Sequence, residues 1–141
     1  MRIIPISNPK REHDSWGDGH FAASRGGRPH MGRDYEFAIG EAVRCPVAGI
    51  VGRLGYPYAG NSEYRLIEVL THSRKMLWRF FYVKPAVRAG DVLEAGDTIG
   101  VAQDIQKKYD RKMTNHVHVE CIVDPEFFFD GRAEIVDRQE A

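Results

Sequence analysis

Two short clusters of histidine and aspartate are the residues of this chain whose types and spacing could do chemistry. His30 and Asp34 lie four residues apart, and His116 and His118 are separated by one valine. Side chains on an extended strand return to the same face every two residues, so His116 and His118 point the same way. His30 and Asp34 can converge if their segment is extended or curves at Gly32. Two imidazoles and one carboxylate would leave a divalent ion an open fourth position, as in catalytic zinc sites.

Short strands separated by glycine turns must position these clusters. The segment EAVRCPVAGIVGRLG is predicted to form a strand pair with a tight bend. YRLIEVLTH and KMLWRFFYV are predicted to form a hairpin across Ser73 and Arg74. The repeated Ala-Gly-Asp units at 89–91 and 95–97 predict two turns, with the valines and isoleucine between them packed inward.

The later histidines are predicted to lie on a strand of their own. Alternation in NHVHVECIV places Val117, Val119 and Cys121 on one face, and His116, His118 and Glu120 on the other. QDIQKKYDRK is the best helix candidate. The fold class predicted is mainly β, an antiparallel sheet with short hairpins and one short helix.

Size and composition exclude several classes of protein. The 141 residues suit one domain, spanning 1–141 with a core of about 16–125, and the 20 basic residues balance the 20 acidic ones. A nucleic-acid-binding protein would usually carry a basic excess. No apolar run approaches the roughly 20 residues that span a bilayer. Cys45 and Cys121 are expected to be small buried side chains, although a disulfide between them stays open.

Four segments resemble a known family. They are GGRPHMGRDY, CPVAGIVGRLG, VRAGDVLEAGDTIG and NHVHVE, and the resemblance runs from about Trp16 to Pro125. The chain resembles the lysostaphin-type zinc metallopeptidases, which are peptidoglycan endopeptidases, and especially their compact phage or prophage members. The resemblance implies a β-sheet groove with the metal on its floor.

The resemblance also implies roles for individual residues. His30, Asp34 and His118 would bind Zn²⁺, and His116 would be the catalytic histidine beside it. The family usually has a second catalytic histidine in a Tyr-x-His-Leu segment, where this chain reads Phe-Tyr-Val-Lys-Pro at 81–85. Lys84 stands where that histidine is expected, either as an oxyanion donor or as a solvated lysine at a strand end. Tyr82 is a second candidate for the donor.

The implied activity is cleavage of peptide cross-links in bacterial peptidoglycan, with a zinc-bound water as nucleophile. Candidate substrate-binding residues are Tyr56, Tyr58 and Asn61 in a turn-rich loop, and Arg25 in an arginine-rich stretch. A monomer is favoured. Because the N-terminus lacks the apolar core of a secretory signal, we expect synthesis in the cytoplasm and later release or delivery to the wall, through phage lysis or a phage tail.

Two other functions are compatible with parts of the sequence. The departure at Lys84 is also compatible with a degenerate, non-catalytic relative that binds metal or cell wall. The Gly-Asp hairpin also occurs in lipoyl- or biotinyl-type carrier domains, for which Lys75 would be the modified residue. The carrier hypothesis gives no role to the histidine pairs, so the peptidase is the main prediction.

Overall fold

A computed structural model describes residues 2–11, 13–14, 17–18, 32–72, 76–121 and 125–129. Strands make up most of its regular structure, with one short helix near the end of the described residues. The elements are β1 (His13–Asp14), β2 (Gly17–Asp18), β3 (Arg33–Glu36), β4 (Ala42–Arg44), β5 (Gly49–Gly55), β6 (Leu66–Thr71), β7 (Leu77–Phe81), β8 (Val83–Pro85), β9 (Val92–Leu93), β10 (Thr98–Ala102), β11 (His116–Glu120) and α1 (Glu126–Phe129).

A six-stranded antiparallel sheet with the order β3-β11-β7-β6-β5-β9 forms the body of the protein. The predicted hairpin is confirmed, because β6 and β7 pair from Leu66 opposite Phe81 to Leu70 opposite Leu77. The predicted pairing of the two strands in EAVRCPVAGIVGRLG is wrong. β4 joins β10 and β8 in a separate three-stranded sheet, whereas β5 pairs with β6 and β9. Pro46 separates the two strands and has no N–H to donate to a ladder.

Alternate residues of both sheets form one hydrophobic core, as the period of two in a strand requires. Val51, Val69 and Trp78 enter this core from the large sheet, and Val43 and Ile99 enter it from the small one. Both ends of the described chain also pack here. Ile3 and Ile6 pack against the core from the N-terminal segment, and Phe128 and Phe129 of α1 lie beside Trp78.

The two Gly-Asp units form the predicted turns. Gly90 and Gly96 have φ angles of 92° and 95°, which favour glycine because it has no Cβ. In each unit the aspartate accepts a hydrogen bond from a backbone N–H three residues earlier, at 2.8 Å for Asp91 and 2.9 Å for Asp97. The expectation that the valines between the turns pack inward is wrong for Val92, which is 69% exposed on the edge strand β9.

The segment predicted as a helix, QDIQKKYDRK, forms a series of turns instead. Asp104 accepts from the backbone N–H of Lys107, and Asp110 accepts from that of Lys112. Aspartate side chains that bond to nearby backbone groups compete with a helix in this way. The short helix of the fold is α1.

Both cysteines are free thiols, with Cys45 buried and Cys121 half-buried. Burial raises the pKa of the Cys45 thiol to about 12, against a smaller lowering by its hydrogen bond to the Val47 carbonyl. Within the described residues, no helix is long and apolar enough to cross a bilayer.

Candidate metal centre

Strands β3 and β11 bring a carboxylate and an imidazole together, although 84 residues separate them in the chain. Asp34 and His118 are directly opposite each other in the antiparallel register. Opposite residues of paired strands share a face, so their side chains meet. Asp34 Oδ1 lies 2.9 Å from His118 Nδ1, and both side chains are buried.

The second polar atom of each of these two side chains has its own partner. Arg11 donates from Nη1 to Asp34 Oδ2 at 2.7 Å, and His118 Nε2 donates to Glu120 Oε2 at 2.9 Å. Burial alone would lower the pKa of His118, but its hydrogen bonds to Asp34 and Glu120 outweigh burial and raise the pKa to about 9. Asp34 Oδ1 and His118 Nδ1 are therefore the pair of atoms that face each other.

A ladder of charges on the same sheet face anchors Glu120. Arg79 on β7 lies between two carboxylates, with Nη1 3.8 Å from Glu120 Oε1 and Nε 2.9 Å from Glu68 Oε2. Glu68 on β6 also pairs with Arg53 at 3.2 Å. Charges of alternating sign thus cross four neighbouring strands and end at His118.

His116 lies beside Asp34 and His118, and one of its ring nitrogens already makes a hydrogen bond to the backbone. Its Nδ1 donates to the Thr114 carbonyl at 2.7 Å, and its Nε2 lies 3.5 Å from Asp34 Oδ2. Burial lowers the pKa of His116, and the nearby Arg11 guanidinium adds to that lowering, against the opposing effect of Asp34. The neutral ring therefore carries its proton on Nδ1 and keeps a lone pair on Nε2.

Tyr82 is the described phenol that contacts His116. The two rings are edge to face with centroids 5.6 Å apart. Tyr82 has a φ angle of 70°, which breaks the alternation between β7 and β8. Burial raises the pKa of its hydroxyl to about 12, so the group stays protonated at neutral pH. Lys84 is exposed on β8 opposite Val101, and the structure does not bring it to the described part of the site.

The predicted substrate-binding residues Tyr56, Tyr58 and Asn61 line one surface cavity of about 380 Å³. Tyr58 connects this cavity to the site, because its hydroxyl donates to the Tyr82 oxygen at 3.2 Å. The other side of Tyr58 meets Tyr109, whose hydroxyl oxygen lies 2.9 Å from its own. Two further predicted residues, His30 and Arg25, lie outside the described residues.

Reasoning from the sequence missed Arg11 and Tyr109. Arg11 belongs to a segment with no periodicity, and its contact with Asp34 spans 23 residues. Tyr109 lies in the segment that was predicted as a helix. Glu120 could be found in advance, because strand alternation places it on the same face as His118.

The described side chains fit part of a zinc site. Among the described residues, no group of three or more His, Cys, Asp or Glu side chains could hold a metal ion. Tetrahedral ligands about 2.0–2.1 Å from zinc are roughly 3.3 Å apart, so the 2.9 Å between Asp34 Oδ1 and His118 Nδ1 would have to open only slightly. The nitrogen and oxygen donors suit zinc, and a third ligand must come from elsewhere, where His30 is the predicted one.

Comparison with known proteins defines the family of this chain. No family model matches the sequence. Mouse leukocyte cell-derived chemotaxin-2 is 33% identical over 118 residues, which cover 81% of this chain and 74% of the mouse protein. The chain belongs to the leukocyte cell-derived chemotaxin-2 family. The name of that relative describes an attractant and mentions no peptidase activity.

Solved structures confirm the lysostaphin-type fold. The catalytic domain of the antimicrobial peptidase lysostaphin from Staphylococcus simulans is 20% identical, with a TM-score of 0.56 over 79% of this chain and 80% of that domain. A catalytic-domain variant of the prophage-encoded M23 protein EnpA from Enterococcus faecalis is 17% identical, with a TM-score of 0.59 over 89% and 95%. A zinc-containing peptidase from Vibrio cholerae is 27% identical, with a TM-score of 0.54, and this chain aligns over 86% of its own length but only 36% of that protein.

Proposed function

We propose that this chain is a zinc-dependent endopeptidase that cleaves peptide cross-links in bacterial peptidoglycan. The observation that carries the proposal is the meeting of Asp34, His116 and His118 on one sheet face, with Asp34 Oδ1 2.9 Å from His118 Nδ1 and Oδ2 3.5 Å from His116 Nε2. The similar folds of lysostaphin and of the Vibrio cholerae zinc-containing peptidase support it. We further propose that the chain acts at the wall after phage lysis or tail delivery.

His30, Asp34 and His118 would hold the zinc ion. When bound, zinc supplies a water that ionises near neutral pH and a positive charge that polarises a peptide carbonyl. Asp34 presents Oδ1 because Arg11 holds Oδ2, and His118 presents Nδ1 because Glu120 holds Nε2. Such outer partners fix the orientation of metal ligands.

His116 is the general base of the proposed reaction. Its Nδ1 is committed to the Thr114 carbonyl, so Nε2 is the atom that accepts the proton of the attacking water. The same nitrogen then returns the proton to the leaving amine. The carbonyl that holds Nδ1 also fixes the plane of the ring, so that Nε2 stays directed toward Asp34.

Tyr82 supplies the hydrogen bond to the substrate oxygen on which negative charge develops. Its oxygen accepts from Tyr58, so its own hydrogen remains available to donate. A donor in a site that excludes water stabilises this charge more than the same donor in solvent. Tyr58 also lines the cavity with Tyr56 and Asn61, which makes that cavity the candidate site for the stem peptide.

Zinc content and release of amines from purified peptidoglycan test the proposal. His118→Ala is expected to lose zinc and activity together. His116→Ala is expected to keep zinc and lose about 10²- to 10⁴-fold in rate, the usual contribution of a general base. Tyr82→Phe should lose roughly 10²-fold or more, as when one oxyanion donor is removed. Lys84→Met serves as the exposed control and should keep wild-type rate. Full zinc and full activity in both histidine variants would contradict the assignment.

A non-catalytic protein that binds metal or cell wall is the second candidate. It is favoured by the departure at Lys84, which stands where lysostaphin-type peptidases usually have a second catalytic histidine. The name of the mouse relative, a chemotaxin, also fits a binding role better than a hydrolytic one. Stoichiometric zinc and retention on peptidoglycan, without release of amines over long incubation, would favour this candidate.

A further inference from the structure

We propose that Arg11 is a positioning residue of the metal centre and that the N-terminal segment, residues 2–11, is a working part of the site. Arg11 holds Asp34 Oδ2 so that Oδ1 stays directed toward the ion. The inference rests on the proposed zinc site, and it adds a residue that neither the sequence pattern nor the resemblance to lysostaphin-type peptidases indicates.

The backbone of the N-terminal segment places Arg11 at Asp34. Lys10 forms an antiparallel bridge with Tyr35, and the backbone N–H of Arg11 donates to the Asp34 carbonyl at 2.9 Å. The segment therefore lies along the outer edge of β3, next to the strand that carries the carboxylate. Arg11 and Asp34 thus contact each other through both backbone and side chain. The backbone contact places the Arg11 guanidinium next to the Asp34 carboxylate.

An earlier part of the segment holds it in place. Ile3 forms an antiparallel bridge with Val47, and the backbone N–H of Ile4 donates to the Pro46 carbonyl at 2.9 Å. Ile3 and Ile6 pack against the main core. The segment is thus anchored at both ends, and these contacts bring Arg11 to the site.

Burial makes the contact between Arg11 and Asp34 specific. Each residue is only 2% exposed, and the Nη1 to Oδ2 distance of 2.7 Å is that of a charge-assisted hydrogen bond. Without Arg11, Oδ2 would be left facing the lone pair of His116 Nε2 at 3.5 Å, and two hydrogen-bond acceptors repel each other. A rotation that relieves this repulsion would turn Oδ1 away from His118, so Arg11 keeps the carboxylate in its orientation.

The positive charge of Arg11 also repels the zinc ion. Repulsion and carboxylate orientation predict opposite changes in zinc affinity when Arg11 is removed. Repulsion between a guanidinium and zinc would make removal of Arg11 increase zinc affinity. Loss of carboxylate orientation would make it decrease affinity, by the 10- to 100-fold usual for outer partners of metal ligands. Because Asp34 is buried and its Oδ2 would be left facing a second acceptor, His116 Nε2, we expect orientation to dominate.

The test is zinc affinity of the full-length protein, measured by competition with a chelating dye. Arg11→Met keeps the length of the side chain and removes its charge, and it should bind zinc about 10- to 100-fold more weakly than wild type. Arg11→Lys keeps the charge without the planar fork and should fall roughly 3- to 10-fold. Lys10→Met is the matched control, because Lys10 is the adjacent residue and pairs at the surface with Glu126. Its zinc affinity should equal that of wild type.

Wild-type or tighter zinc affinity in folded Arg11→Met overturns the inference, because a merely structural role would lower stability and leave affinity unchanged. Circular dichroism verifies the fold of each variant. If Arg11→Met does not fold, Arg11→Lys decides, and wild-type affinity in that variant overturns the inference. A wild-type protein that binds no zinc overturns the proposed function as well, so the two failures can be distinguished.

Discussion

Replacing Gly32 with alanine is expected to push β3 away from β11 and to loosen the metal centre. A Cβ at this position would lie 2.5 Å from the Val119 carbonyl oxygen and 2.9 Å from His118 Cε1. Real Cβ contacts essentially never fall below 3.0 Å, so the gap at the carbonyl must widen by 3.0 − 2.5 = 0.5 Å. Because the carbonyl belongs to the backbone of β11, the strands themselves have to move.

The size of the effect follows from this displacement. Overpacking of one methyl group against a backbone costs about 1–3 kcal/mol of the free energy of unfolding. Asp34 and His118 are paired two residues further along β3, at 2.9 Å. The added Cβ would also press on His118 Cε1, and a turn of that ring moves Nδ1 away from the position that a metal ion needs. Because metal–ligand distances tolerate only about ±0.2 Å, zinc binding should weaken by about tenfold or more.

Urea denaturation and zinc competition measure the two effects in parallel. Gly52→Ala is the matched control, because a Cβ there would meet only the Glu68 carbonyl at 3.9 Å. This control should stay within about 0.5 kcal/mol of wild type and keep its zinc affinity. If Gly32→Ala matched Gly52→Ala in both measurements, the close approach of the two strands would not constrain the site.

Three further predictions concern the loop after β10, the thiols and the phenols. Asn115→Ala should lower the free energy of unfolding by about 2–4 kcal/mol in urea, because its side chain makes three hydrogen bonds to backbone groups of two loops; a loss below 1 kcal/mol would refute this. In the native protein an alkylating reagent should modify the half-buried Cys121 first, whereas Cys45, buried and with a pKa of about 12, should react only on unfolding; mass spectrometry of partial digests would show equal labelling if this is wrong. The folded pKa of Tyr82 is raised from 10.0 to about 12, and the pKa of Tyr58 is raised too. The two phenols should therefore add to the free energy of unfolding below pH 10, and this contribution should be lost as pH rises toward 12. Urea titrations that give the same free energy of unfolding at both ends of this range would contradict it.

Local patterns in the sequence were sufficient for several parts of the fold. The alternation at 116–120 correctly placed Val117 and Val119 in the core, because side chains on any strand alternate between two faces. The Gly-Asp turns were also predictable, since glycine permits the positive φ angle and aspartate accepts the turn hydrogen bond. The helix prediction at QDIQKKYDRK failed where short polar side chains competed for the backbone.

The sequence by itself therefore determined which residue types could form a metal centre and which face of a strand each one occupies. Only the tertiary structure decided which of them meet. The register of β3 on β11 joins Asp34 to His118, the edge segment brings Arg11 to Asp34, and the left-handed backbone at Tyr82 places a phenol beside His116. Strand register and edge pairing depend on backbone hydrogen bonds and on core packing between distant segments, and no local pattern of side chains specifies those contacts.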